Sequence, residues 1–309
     1  MVEAAYSGAS SRDMSVSRQM DAAPDQYRAT ARETFLATGR NTLNDSFANP
    51  FFGLITNGTL AAATVTRNQL LRPYPHFTSI NELNSSIGTS RYDSFQLKAN
   101  KRLSQGLSML VSYTASKQLD RVRYLNETDE HLYNALPTFD TPQRLVVSAT
   151  YELPFGPGKP LLAAKGGAAV RLLEGWQLNV IYSANGGIPL SISGAETVGR
   201  TAKLSSDLRT LDRWFDTSAV RQRQTLELTA TSLSPDVRSH GRNTFDISMF
   251  KTAALMEKLR LQFRAESFNT MNRPEYSAPD TTFGGPNFGR ISTTNIFARQ
   301  LQFGLRLLW

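Results

Sequence analysis

Few side chains in this sequence have the types and spacing that covalent chemistry needs. The three histidines, His76, His131 and His240, stand far apart in polar, turn-rich stretches. His131 follows Glu127-Thr-Asp-Glu130, a set of donors that a divalent cation would accept. A metal site also needs a fixed ligand count and geometry, and a run of charges in a loop is equally at home in water; no metal is assigned. Phe155-Gly-Pro-Gly-Lys159 has the ending of a phosphate loop, but the earlier glycine is missing and Pro160 follows the lysine, so it reads as a turn. There is no G-x-S-x-G elbow, no H-E-x-x-H pair and no cysteine. The expectation is a protein that is not an enzyme and holds no cofactor. The remaining candidates are charges set between apolar residues: Lys98 and Arg102, then Arg260, Arg264 and Glu266, then Arg306. Lining a channel, they would attract anions; paired with one another, they would be structural.

β-Strands must position those charges. A strand sends alternate side chains to opposite faces. The last residues show it most clearly, with Leu301, Phe303, Leu305, Leu307 and Trp309 on one face and Gln300, Gln302, Gly304 and Arg306 on the other. The same alternation runs through Phe95, Leu97 and Ala99; through Leu107, Met109, Val111, Tyr113 and Ala115; and through Leu145, Val147, Ala149 and Tyr151. It continues through Trp176, Leu178, Val180, Tyr182 and Ala184; Phe245, Ile247 and Met249; and Leu259, Leu261, Phe263 and Ala265. With a short start at residues 2–7, this makes about eight strands, most near the ~9–11 residues that cross a bilayer at a tilt. Ser104-Gln-Gly106 and a turn near Met256 mark tight connections. Polar stretches at 8–90, 120–140 and 194–241 read as long loops, with a short helix expected within 25–40.

Two coverings suit such ribbons: a second protein layer, as in a soluble sandwich or a lipocalin-like binding protein, or lipid. Two asymmetries favour lipid. Connections alternate short and long, as in barrels with turns on one rim and loops on the other. Lys101 and Lys251 interrupt the apolar face only beside short turns, where a lipid-facing lysine costs ~0–1 kcal/mol instead of ~2–4 at the midplane. Aromatics follow the same rule. Tyr151, Trp176 and Trp309 belong to the short-turn rim, and Phe95, Tyr113 and Tyr182 to the long-loop rim, as interfacial girdles require.

The 309 residues contain no apolar run of the ~18 needed for a helical span. Residues 1–10 lack the basic start and apolar segment of a signal peptide. The net charge of +8 is dispersed along alternating strands and forms no block, which argues against nucleic acid as a partner.

An ordered series of stretches carries a family resemblance: Asn49-Pro-Phe-Phe-Gly53, Gln69-Leu-Leu-Arg-Pro-Tyr-Pro75, Tyr92-Asp-Ser-Phe-Gln-Leu-Lys98, Ser112-Tyr-Thr-Ala-Ser-Lys117, Tyr151-Glu-Leu-Pro-Phe-Gly156 and Gly175-Trp-Gln-Leu178. It continues with Trp214-Phe-Asp216, Gly241-Arg-Asn-Thr-Phe-Asp246, Arg264-Ala-Glu-Ser-Phe-Asn269 and Pro286-Asn-Phe-Gly289. From about residue 49 to the end the chain resembles the C-terminal portion of Oar-like TonB-dependent transporters, which carry a carboxypeptidase-regulatory-like N-terminal domain. The resemblance implies a barrel of about 22 strands closed by a plug and import of a scarce ligand with energy delivered by TonB. It also implies a terminal strand, Leu301 to Trp309, read by the barrel assembly machinery. The plug, TonB box and regulatory-like domain are not in this sequence, so the expectation is a fragment that does not transport alone.

The reading is therefore all-β: an antiparallel transmembrane barrel, about eight C-terminal strands of a larger one, in the bacterial outer membrane. Residues 1–90 would hold the first strand and a long extracellular loop region, and 91–309 the remaining strands. Its partners would be outer-membrane lipid and lipopolysaccharide, the assembly machinery, TonB through the missing part, and an unknown small ligand at the loops. The alternative from another class is an autonomous eight-stranded adhesin or anchor.

Overall fold

Eight strands with alternating faces find one another in sequence order and form a single antiparallel sheet. The computed structural model describes residues 1–161, 167–192, 195–229, 237–256, 259–295 and 298–309. Among these residues there are twelve strands: β1 Val2–Gln19, β2 Ser46–Ala48, β3 Thr64–Thr66, β4 Asn81–Ser104, β5 Leu107–Arg121 and β6 Gln143–Glu152. They continue as β7 Trp176–Asn185, β8 Ala195–Thr197, β9 Val220–Gln222, β10 Arg242–Met256, β11 Leu259–Phe268 and β12 Gln300–Leu308. The large sheet has the order β1-β4-β5-β6-β7-β10-β11-β12, and β2-β3 and β8-β9 are small ribbons in the loops. Each long strand pairs with the next one in the chain, so every connection is a hairpin, tight or elaborated. Among the described residues the first and last strands do not pair, so the sheet has two open edges.

The β4–β5 turn shows how the sequence enforces this. Gln105 and Gly106 both have positive φ, 52° and 80°, the backbone of a type I′ turn, whose twist matches that of the flanking strands. A Cβ at Gly106 would lie 2.8 Å from the Glu152 carbonyl oxygen on the neighbouring strand, so glycine is required twice over. The turn expected near Met256 falls at residues 257–258, outside the described residues, as does Gly194 at the start of the loop read from it.

Three expectations change. β1 continues to Gln19 and β4 begins at Asn81, so a division at residue 90 cuts through a strand. The added parts, Ser10–Gln19 and Asn81–Ser90, are mostly polar, with only Met14, Val16, Leu83 and Ile87 as large apolar residues, and carry bulges at Asp13 and Asn84, both at φ 58°. A strand that stands clear of the apolar belt has no reason to alternate, so it reads as loop. The third change is on the short-turn rim, where the 153–175 connection is no tight turn and carries helix α3 (Ala168–Leu173), here numbered after α1 (Asp25–Thr38) and the single turn α2 (Arg67–Leu70). Helix α1 lies within the expected 25–40 and ends where Gly39 adopts φ 73° and donates to the Phe35 carbonyl. No helix among the described residues is long and apolar enough to cross a membrane.

The buried apolar core is not in the sheet. Its main cluster, Leu190, Ile192, Ala195, Ala202, Phe215, Ala219, Val220 and Val237, lies in the 186–241 loop, with Trp214, Phe283 and Phe288 packed against it.

Candidate functional site

The register joins the alternating segments into one continuous belt. One row of paired residues runs Val2, Ala99, Val111, Val147, Tyr182, Phe245. A second runs Leu107, Tyr151, Leu178, Met249, Ala265, Phe303. Paired residues share a face, so the apolar residues of all eight strands lie on the same side. Nothing covers them: Leu301, Phe303, Leu305 and Leu307 are exposed, and Trp309, beyond the end of β12, is 93% exposed. Among the described residues, none of the belt side chains in those two rows is fully buried. A second layer of protein is excluded as their cover within this structure.

Rings cluster on this surface. Phe303 stacks on Phe263 at 6.4 Å, Trp176 meets Phe263 edge-on at 6.4 Å, and Tyr182 lies 6.3 Å from Phe245. Phe95 pairs with Tyr6 and Ala115, Tyr113 with Leu97 and Leu145, and Tyr151 with Leu107 and Leu178. Tyr151, Trp176 and Trp309 lie at strand ends on the rim of the tight turns, and Tyr182 lies toward the other rim. Lys251 shows how a charge sits on the belt. Its Nζ donates to the carbonyls of Arg171, Leu172 and Glu174 at 2.7, 2.7 and 3.0 Å, and it stands 5.2 Å from the Trp176 ring. The carbonyls freed at the end of α3 thus solvate the ammonium and lift it toward the rim.

The opposite face is polar. Arg264 donates to Gln262 at 2.8 Å, lies 4.9 Å from the Phe250 ring, and faces Gly304 across the β11–β12 ladder. Arg306 pairs with Gln262, Glu266 with Gln302 and Ser248, and Arg260 with Leu308 and Ala254. These four form one patch at the β12 edge. Lys98 lies far away on β4, between Glu3 and Ser112, and Arg102 falls in the irregular register before the β4–β5 turn. The structure therefore brings the β11–β12 charges together and leaves the β4 charges apart from them. None of the six belongs to an ion pair among the described residues; those pairs lie mainly in the loops.

The loops meet over the long-loop rim through contacts that no sequence spacing announces. Arg238 donates to Asp140 Oδ2 at 2.5 Å and to the Asp140 and Gly187 carbonyls at 2.9 and 3.1 Å. Arg242 pairs with Glu275. Arg221 grips both Glu196 and Glu227, and Arg32 on α1 reaches Glu227 at 3.4 Å. The Arg221 guanidinium, then the Gln224 amide, hold the Glu227 carboxyl down at about 2, while the same bonds push Arg221 upward. Thr128 donates to the Asp25 carboxylate at 2.7 Å, and Asn126 exchanges two hydrogen bonds with the Thr229 backbone at 2.8 and 3.0 Å. Three loops thus converge on α1. Beside it lie cavities of about 380 and 430 Å³, one between α1 and residues 226–228, the other between Arg28, the 41–44 turn and residues 223–227.

The histidines are not brought together. His76 packs among Phe51, Tyr74 and Phe77; His240 lies between Trp214 and Tyr276, each ring within 5.5 Å; His131 is exposed. In the acidic stretch before His131, Asp129 Oδ2 accepts the backbone amides of Leu125 and Asn126, closing its own turn. No group of three or more potential metal ligands forms among the described residues.

Among known families, the outer membrane beta barrel domain matches residues 1–302. No curated protein matches the chain.

Proposed function

The chain belongs to the outer membrane beta barrel domain family, a bacterial outer-membrane protein, and from that premise we propose that it is the barrel part of a TonB-dependent transporter or receptor. The observation that carries this reading is the open sheet: β1 and β12 each leave a row of backbone donors and acceptors without a neighbouring strand. In hydrocarbon each unmet group costs several kcal/mol, which supports a wider barrel in which other strands pair with these edges. The order of the Oar-like stretches supports the transporter identity of that barrel. The loops gathered over one rim are the surface where a ligand is captured before passage. The assembly machinery reads the terminal strand through Leu301, Phe303, Leu305, Leu307 and Trp309, lipid and lipopolysaccharide surround the belt, and the protein performs no catalysis.

Two measurements test the reading. Formaldehyde cross-linking of whole cells, followed by purification through this chain, recovers TonB; an adhesin or anchor does not. The chain lacks cysteine, so Ala4→Cys can be combined in turn with Phe303→Cys, Leu305→Cys and Leu307→Cys. No disulfide forms between β1 and β12 if other strands lie between them. An efficient one would establish the autonomous eight-stranded barrel and overturn the proposal.

A further inference from the structure

The larger of the two loop cavities has the chemistry of a binding site for a hydroxylated anion. Its wall carries two guanidiniums, Arg28 and Arg223, and four amides, Asn41, Asn44, Asn68 and Gln224. The one carboxylate beside them, Glu227, is already bound by Arg221 and Arg32 and accepts the Gln224 amide. Arg28 forms a loose ion pair with Asp25 at 3.9 Å, without a hydrogen bond, and that carboxylate also accepts the Thr128 hydroxyl. Arg223 has the Thr229 hydroxyl as its partner and no carboxylate within ion-pair distance among the described residues. Arg28, held only by that loose pair, and Arg223 therefore face a cleft whose own carboxylate, Glu227, is engaged elsewhere. Guanidinium groups match carboxylates, and amides match hydroxyls in both donor and acceptor roles. No aromatic ring lines the cavity, which disfavours nucleobases and other flat apolar ligands. At about 430 Å³ it has the size of a small-ligand pocket. Leu226, which borders both cavities, is held at φ 68°, a conformation that a branched side chain rarely takes and that concentrates at ligand clamps.

We propose that this cleft binds an acidic sugar, its carboxylate on Arg28 and Arg223 and its ring hydroxyls on the amides. The inference builds on the receptor reading by naming a ligand class. TonB contact is read by cross-linking and this site by equilibrium binding, so either can fail while the other stands. The test is equilibrium dialysis of the protein, purified from outer membranes into lipopolysaccharide-free detergent, with digalacturonate and with its neutral methyl ester. Digalacturonate binds, and the ester binds about tenfold more weakly or worse, the scale of one lost charge-assisted bond. Arg28→Gln and Arg223→Gln each weaken the acid about tenfold and leave the ester unchanged; Asn44→Ala weakens both. Both arginines reach the protein surface, so these variants keep the fold, checked by unchanged heat-modifiable migration. Equal binding of acid and ester, no binding of either, or indifference to both arginine substitutions would overturn the proposal.

Discussion

The sheet and the loop cap arrange the same kinds of residue in opposite ways. In the sheet the large apolar side chains point outward and stay uncovered, as with Phe303 at 68% exposure. In the cap they point inward: Phe215 is fully buried and meets the Phe288 ring edge-on at 5.2 Å. Charges follow a similar inversion. In the cap many are paired, as in Arg221 with Glu196 and Glu227, whereas on the polar face of the sheet Lys98, Arg260, Arg264 and Arg306 have no carboxylate partner within ion-pair distance among the described residues. What differs is the solvent. The cap folds in water by burying apolar surface, while the sheet is ordered by its backbone ladder and has its apolar side matched to lipid.

If the two regions answer to different solvents, a perturbation in one leaves the other standing. The largest effect is expected from Phe215→Ala, at about 3–5 kcal/mol for an emptied core ring. Limited proteolysis should cut within 186–241, while the heat-modifiable migration of the barrel is unchanged. Loss of both together would mean that cap and sheet are one cooperative unit. Next is Val180→Lys on the apolar belt, at ~2–4 kcal/mol if it sits near the bilayer midplane, read as a lowered urea midpoint in lipid vesicles. A midpoint equal to the parent's would mean that this face does not meet lipid.

Glu227→Gln sharpens the comparison on the cap side, at about 1.5–3 kcal/mol for a hydrogen bond to a charged group. The Glu227 carboxyl titrates at about 2 in the folded cap against an ordinary 4.5. Its contribution is therefore complete above about 4.5 and is lost as pH falls toward 2. Protection of the Gln224 and Thr229 amides, taken relative to their intrinsic exchange at each pH, should fall through that window in the parent and remain low throughout in the variant. The smallest effect is Lys251→Met. It loses the carbonyl contacts at the end of α3 and gains an apolar fit to lipid, for a net change within about 1 kcal/mol, measured by the same urea titration.

The sheet was far more legible than the cap. Val111, Val147 and Tyr182 declare their shared face by period 2 alone, and Gln105-Gly106 declares its turn, because strand geometry and turn conformation are local properties. Ser10–Gln19 and Asn81–Ser90 are not legible as strand because they clear the belt, are mostly polar, and have their short alternation at Met14 and Val16 interrupted by bulges. The loop contacts carried no signal at all. Arg32 and Glu227 meet across 195 positions, and Arg238 and Asp140 across 98. Neither pair has a period or a neighbouring motif that would single it out.

By itself the sequence determined which residues face together, where the tight turns fall, and that one face is apolar along most of each strand. These follow from the alternation of side chains along an extended backbone, which no distant contact can reverse without flipping a whole strand. Only the tertiary structure decided that the sheet stays open at β1 and β12. It alone gathered three loops around α1 and left Arg28 and Arg223 together in a cleft. Those outcomes depend on which irregular segments reach one another in space, and loop backbone has no repeating geometry from which that can be read.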